Sequence, residues 1–227
     1  MFSFVFHDKK YNRWIAARDH FGIKPLYYAK TSGTTSGVKY IPISKASMPT
    51  HIRAARNALL NYIHKTGNAD FIKGKQIFLQ GSPILEKNKG INYGRLSGIV
   101  AHYVPRYLQK SRMPSWETNC IEDWEKKVDA IVEETFSENM SLIAGIPSWV
   151  QMYFEKLIEK SNLPVGEMFK NFSLFVYGGV NYEPYRPLFE KLIGRKVDSI
   201  ELFPALSLIH ISEPTRPERI WDGGVCV

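Results

Sequence analysis

Phe2, Phe4 and Phe6 alternate with Ser3 and Val5, the period-two pattern of a half-buried strand. Asp8-Lys9-Lys10-Tyr11-Asn12 turns the chain, Arg13 to Arg18 returns as a second strand, and Leu26 to Ala29 makes a third. Gly22 and Pro25 punctuate the connection, so residues 1–30 read as a small β unit. A short strand follows from Lys39 to Ile43. Ile52, Leu59, Leu60 and Ile63 then share one face of a helix starting near Pro49. Ile77-Phe78-Leu79 is a strand that stops at Gly81-Ser82-Pro83, and Ile121, Trp124, Val128, Ile131 and Thr135 mark a long amphipathic helix.

From there the rhythm is strand, helix, strand. Ser141 to Gly145, Leu174 to Tyr177 and Ser199 to Phe203 are strands. Ser148 to Lys160 and Glu183 to Ile193 are helices, the first with Val150, Phe154, Leu157 and Ile158 on its apolar side. Such alternation predicts an α/β fold: a mixed or parallel sheet flanked by helices, preceded by a short antiparallel β segment. There are no internal repeats. After Ala205 the pattern collapses. Leu206 to Arg216 offers no helical face, and Pro214 and Pro217 block a long element.

Composition narrows the class. The 227 residues are 44 % hydrophobic and 23 % charged, ordinary values for a globular chain. The net charge is +8. Residues 1–30 hold six Lys/Arg against two Asp/Glu, residues 206–227 two against three, and the rest of the excess is scattered. No dense basic run interleaves with Tyr103, Tyr107, Trp116 and Trp124, so a solvated surface is expected, with no nucleic-acid partner. Cys120 and Cys226 are the only cysteines and fit neither a zinc pattern nor a disulfide framework. The start Met1 to Phe6 lacks the basic region of a signal peptide. No apolar run approaches the ~20 residues that span a bilayer. A cytoplasmic protein without a membrane partner is the expectation.

Two features carry candidate chemistry. The stretch Thr31-Ser32-Gly33-Thr34-Thr35-Ser36-Gly37 is almost all hydroxyl and glycine. Glycines let backbone N–H groups approach phosphate, and hydroxyls add donors. It is not a Walker loop, because three residues separate Gly33 from Gly37 and no Gly-Lys-Ser/Thr follows. It also lies between two strands, so a flexible hairpin without a ligand stays open as the alternative. The second feature is the set of strand ends at Gly145-Ile146-Pro147-Ser148, Gly178-Gly179-Val180 and Pro204-Ala205. Ligands bind beyond the carboxyl ends of strands in open α/β sheets, and Gly178-Gly179 lets the backbone approach a flat ring or ribose. A plain strand-to-helix turn is the alternative there. The six histidines are dispersed, with no His-Glu-x-x-His, so no metal site is expected. Ser97-Gly98 lacks the upstream glycine of a nucleophile elbow and reads as a loop.

The motif residues carry a family likeness. Thr31 to Ser44, Phe175 to Val180 and Ser199 to Ala205 resemble, in order, motifs of the acyl-acid amido synthetases of the auxin-responsive-promoter family. These belong to the adenylate-forming superfamily with firefly luciferase. The likeness covers about residues 29–205. It implies ATP-dependent activation of a small-molecule carboxylic acid, then amide formation with an amino acid. It also implies that Ser32, Gly33, Thr34, Thr35 and Ser36 hold the phosphates, that Gly178, Gly179 and Val180 line the adenine pocket, and that Mg2+ bridges phosphate oxygens. Ile146 to Trp149 would wall the acyl acid. Where the family continues Pro-Ala-Ser-Glu-Gly, this chain reads Pro204-Ala205-Leu206-Ser207-Leu208. The glutamate expected to help hold metal and nucleotide is missing, as are later family elements. No catalytic residue is therefore assigned, and the chain is expected to lack synthetase turnover.

The flanks resemble other things. Met1 to Asp8 and Ala17 to Tyr28 are similar to an internal hairpin of the class II glutaminase domain of asparagine synthetase. That domain uses an N-terminal cysteine nucleophile; this chain begins Met1-Phe2, so no glutaminase activity is expected. Leu206 to Arg216 resembles a translated sequencing-library transposon end, expected to be disordered. The organisation read from sequence is thus a foreign β fragment at 1–30, a partial adenylate-forming domain at 31–205, and a non-native tail at 206–227. Beside the leading reading of an inactive synthetase fragment stand two others: a weak ATP-binding module, and a chimaeric open reading frame with no function of its own.

Overall fold

The computed structural model describes residues 3–8, 13–18, 27–30, 40–43, 48–88 and 90–202. The strands β1 (Ser3–Asp8), β2 (Arg13–Arg18), β3 (Tyr27–Lys30) and β4 (Tyr40–Ile43) come first, then helix α1 (Met48–Thr66) and β5 (Lys75–Leu79). Next come β6 (Glu86–Asn88), β7 (Ile91–Arg95), α2 (Leu96–Ala101), α3 (Arg106–Gln109), β8 (Arg112–Met113) and α4 (Trp116–Asn119). The chain continues through α5 (Trp124–Thr135), β9 (Met140–Gly145), α6 (Pro147–Ser161), α7 (Val165–Met168), β10 (Leu174–Tyr177), α8 (Arg186–Ile193) and β11 (Asp198–Glu201).

Three sheets result. β1 and β2 form an antiparallel pair with Ser3 opposite Arg18 and Asp8 opposite Arg13. β3 does not extend that pair. It joins a four-stranded sheet of order β4-β3-β7-β6, antiparallel to β4 and parallel to β7. The third sheet has order β11-β10-β9-β5-β8, with every neighbouring pair parallel. Its central strand β9 is buried along Met140 to Ala144, as a strand covered on both faces must be.

Alternation along the strands divides two cores. Ile143 and Phe175 face α5, α6 and α8, packing with Val128, Ile131, Phe154, Leu157 and Phe189. Leu142, Ala144, Leu174 and Val176 face the other way, against Tyr62 of α1 and Phe71. The inward stripe of α1 differs slightly from the expected one. Ala58 and Tyr62 are buried, with Leu59 and Ile63 beside the core, whereas Leu60 is 53 % exposed. At 100° per residue Leu60 lies off that stripe.

Ser97-Gly98, expected in a loop, lies within α2 instead. The reason is packing: a Cβ on Gly98 would sit 2.9 Å from the Ser82 carbonyl oxygen, so only glycine lets this helix dock on the loop after β5. Among the described residues no helix is long and apolar enough to cross a membrane.

Candidate functional site

The parallel register aligns the strand ends. Leu79, Gly145, Tyr177 and Glu201 are paired in one row across β5, β9, β10 and β11. The next residues, Gln80, Ile146, Gly178 and Leu202, therefore emerge along a single edge. Gly178 is half-buried, and Gly179 and Val180 are exposed. Gly179 has φ +85°, a left-handed conformation that favours glycine. A Cβ there would touch only Ile146, at 3.7 Å, so the turns after β9 and β10 adjoin.

An aromatic wall rises behind the glycine turn. The rings of Tyr177 and Tyr182 lie 4.7 Å apart, and the Arg186 guanidinium sits over Tyr182 at 4.9 Å. Burial pushes the Tyr182 hydroxyl up to about 12, so it stays protonated at neutral pH. A second aromatic pair, Trp124 and Trp149, stacks at 4.2 Å where α5 meets the start of α6.

The end of β5 is tied down by a lysine that the sequence reading passed over. Lys127 is 1 % exposed. Its Nζ donates to the Gln80 carbonyl at 2.9 Å, the Asn119 carbonyl at 2.6 Å and Asn119 Oδ1 at 2.9 Å. Burial lowers its pKa to about 8, with Cys120 acting weakly in the opposite direction. Its one sequence signal is weak: Lys127 lies four residues before Ile131, on the inward stripe of α5.

The four-stranded sheet brings two further cations to the same neighbourhood. Lys30 and Arg95 end β3 and β7 and are paired in the parallel register. Lys30 Nζ donates to Glu86 at 2.5 Å, and Tyr93 donates its hydroxyl to the other oxygen of that carboxylate. Arg95 lies against the loop after β5: a Cβ on Gly81 would meet Arg95 Cδ at 3.2 Å and Nη1 at 3.6 Å. The carboxyl ends of β3 and β7 thus meet the carboxyl end of β5.

Of the residues singled out from sequence, Gly178, Gly179 and Val180 lie together on this edge, and Ile146 adjoins Gly179. Ser32, Gly33, Thr34, Thr35 and Ser36 lie outside the described residues. They follow directly on Lys30, and Tyr40 resumes the chain in β4. An open cleft of about 390 Å3 lies elsewhere, at the amino ends of β5 and β9, lined by Lys73, Lys75, Lys110 and Glu138 among others. In open α/β sheets ligands bind beyond the carboxyl ends of the strands, the edge on which Gly178 and Gly179 lie here. Among the described residues no group of three or more His, Cys, Asp or Glu could hold a metal ion.

Residues 1–41 match the family described as glutamine amidotransferase domain. The match spans β1 and β2 and runs on through β3 into β4. Among solved structures, the chain is similar to two ATP-bound RpMatB-BxBclM chimeras, B3 at 16 % identity and B1 at 15 %, each with a TM-score of 0.40. Both alignments cover 78 % of this chain and 28 % of the other, so the chain spans little more than a quarter of those proteins. No curated protein matches it.

Proposed function

We propose that residues 31–205 are the nucleotide-binding part of an ATP-dependent, adenylate-forming acyl-acid amido synthetase. The observation that carries this reading is the register of the strand ends. The motif stretches after β10 and along β11 lie on adjacent parallel strands, and β3, which the hydroxyl-glycine stretch follows in sequence, pairs with β7, whose Arg95 adjoins the loop after β5. The substrates would be a small carboxylic acid and an amino acid. The Trp124–Trp149 pair and Ile146 would supply an apolar wall for the acid. ATP, bound with Mg2+, supplies the phosphorus at which the carboxylate is activated; the chain's own part is to hold phosphate and adenine in place.

The chain as it stands binds ATP without completing amide formation, since Leu206-Ser207 replaces the serine-glutamate of the family motif. Titration calorimetry with ATP, beside an assay for amide formation, tests both halves. Binding without amide above a protein-free control is expected. Amide formation would overturn the claim of inactivity, and absence of ATP binding would overturn the nucleotide reading. The amidotransferase likeness favours a second reading, a chimaeric chain joining two unrelated families, although the match runs past Lys30 to residue 41 and takes in the hydroxyl-glycine stretch.

A further inference from the structure

We propose that Arg95, seconded by Lys30, is a polyphosphate-binding residue at the carboxyl edge; this rests on the nucleotide reading above and adds residues that no motif indicates. Three observations converge. Lys30 and Arg95 are register partners at the ends of parallel strands, so both leave the sheet on the same face. Lys30 is held by Glu86, whereas Arg95 is exposed and makes no ion pair or hydrogen bond among the described residues. Gly81 leaves room over the β5 loop for the Arg95 side chain: a β-carbon there would meet its Cδ at 3.2 Å and its guanidinium Nη1 at 3.6 Å. A guanidinium offers five donors in a planar fork that matches phosphate oxygens. Its position also suits the ligand: β5 lies two strands from β10, roughly 10 Å, which leaves room for a sugar and base between Arg95 and the Gly178-Gly179 turn. Glu86 neutralises Lys30 when no anion is bound, and an arriving phosphate competes for the same ammonium.

The test is calorimetric titration of the full chain with inorganic pyrophosphate, ATP and adenosine, comparing wild type with Arg95→Gln, Arg95→Lys and Glu86→Gln. Arg95→Gln should weaken pyrophosphate and ATP at least about tenfold, the scale of one charge-assisted hydrogen bond, and leave adenosine unchanged. Arg95→Lys should recover part of the loss. Glu86→Gln should tighten pyrophosphate binding, an effect of opposite sign that damage to the fold would not produce. Undiminished pyrophosphate binding in Arg95→Gln, or none by the wild type, overturns the proposal. Pyrophosphate binding that needs Arg95 without any preference for ATP supports the cationic site and removes the nucleotide reading. ATP binding that ignores Arg95 removes the site and leaves that reading standing.

Discussion

Lys127 shows how one residue can be structurally decisive and nearly silent in the sequence. Its ammonium is buried without a carboxylate among the described hydrogen-bond partners, satisfied by three neutral oxygens from the β5 end and the α4–α5 connection. Because burial lowers its pKa to about 8 from 10.5, the folded chain binds fewer protons at Lys127 than the unfolded chain between those values. Stability attributable to this group therefore rises with pH from about 8 to 10.5 and is lowest below 8. Denaturant unfolding of wild type and Lys127→Met across pH 7–10.5 should show that rise in the wild type alone. The same upward slope in both proteins would refute the assignment. A lysine on an apolar stripe reads more readily as a snorkelling surface residue, which is why only the packed structure reveals its role. The turn at Gly178-Gly179, by contrast, was legible because a glycine pair directly after an apolar strand marks a tight turn, and Gly179 takes φ +85°.

At the scale of elements, legibility followed the strength of the period. β2 and β10 match their expected spans, and α5, α6 and β9 differ by only a residue or a few at an end, because each has one unbroken apolar pattern. The elements missed were those that tertiary contacts impose. β8 has two residues, β6 three, α3, α4 and α7 four each, β7 five and α2 six, all too short to show a clear period. Fold class was legible in the strand–helix alternation, whereas the pairing of β3 with β4 and β7 was not, since four residues such as Tyr27–Lys30 can pair either way. α8 gives the sharpest element-level expectation. Phe189 is fully buried, with its ring centroid 5.4 Å from Phe154, 5.2 Å from Phe175 and 5.4 Å from Tyr182. Phe189→Ala should cost about 3–5 kcal/mol, while Leu188→Ala, on the exposed side of the same helix, should stay within about 0.5 kcal/mol. Chemical denaturation of the two variants measures the contrast, and equal losses would mean that the inward face is misassigned.

For the whole molecule, the architecture explains why a ligand would bind where it does. In the five-stranded parallel sheet β5, β9, β10 and β11 end along one edge, with α5, α6 and α8 against one face and α1 against the other. The smaller sheet brings Lys30 and Arg95 to the same edge, and the hydroxyl-glycine stretch begins one residue after Lys30. A nucleotide bound as proposed must therefore bridge two segments far apart in sequence. Hydrogen exchange with and without ATP tests this most directly. The account predicts slowed exchange both in residues 31–37 and in residues 178–180, with little change at the amino ends of β5 and β9. Unchanged exchange in both segments at saturating ATP, or protection confined to the cleft around Lys73 and Lys110, would contradict it.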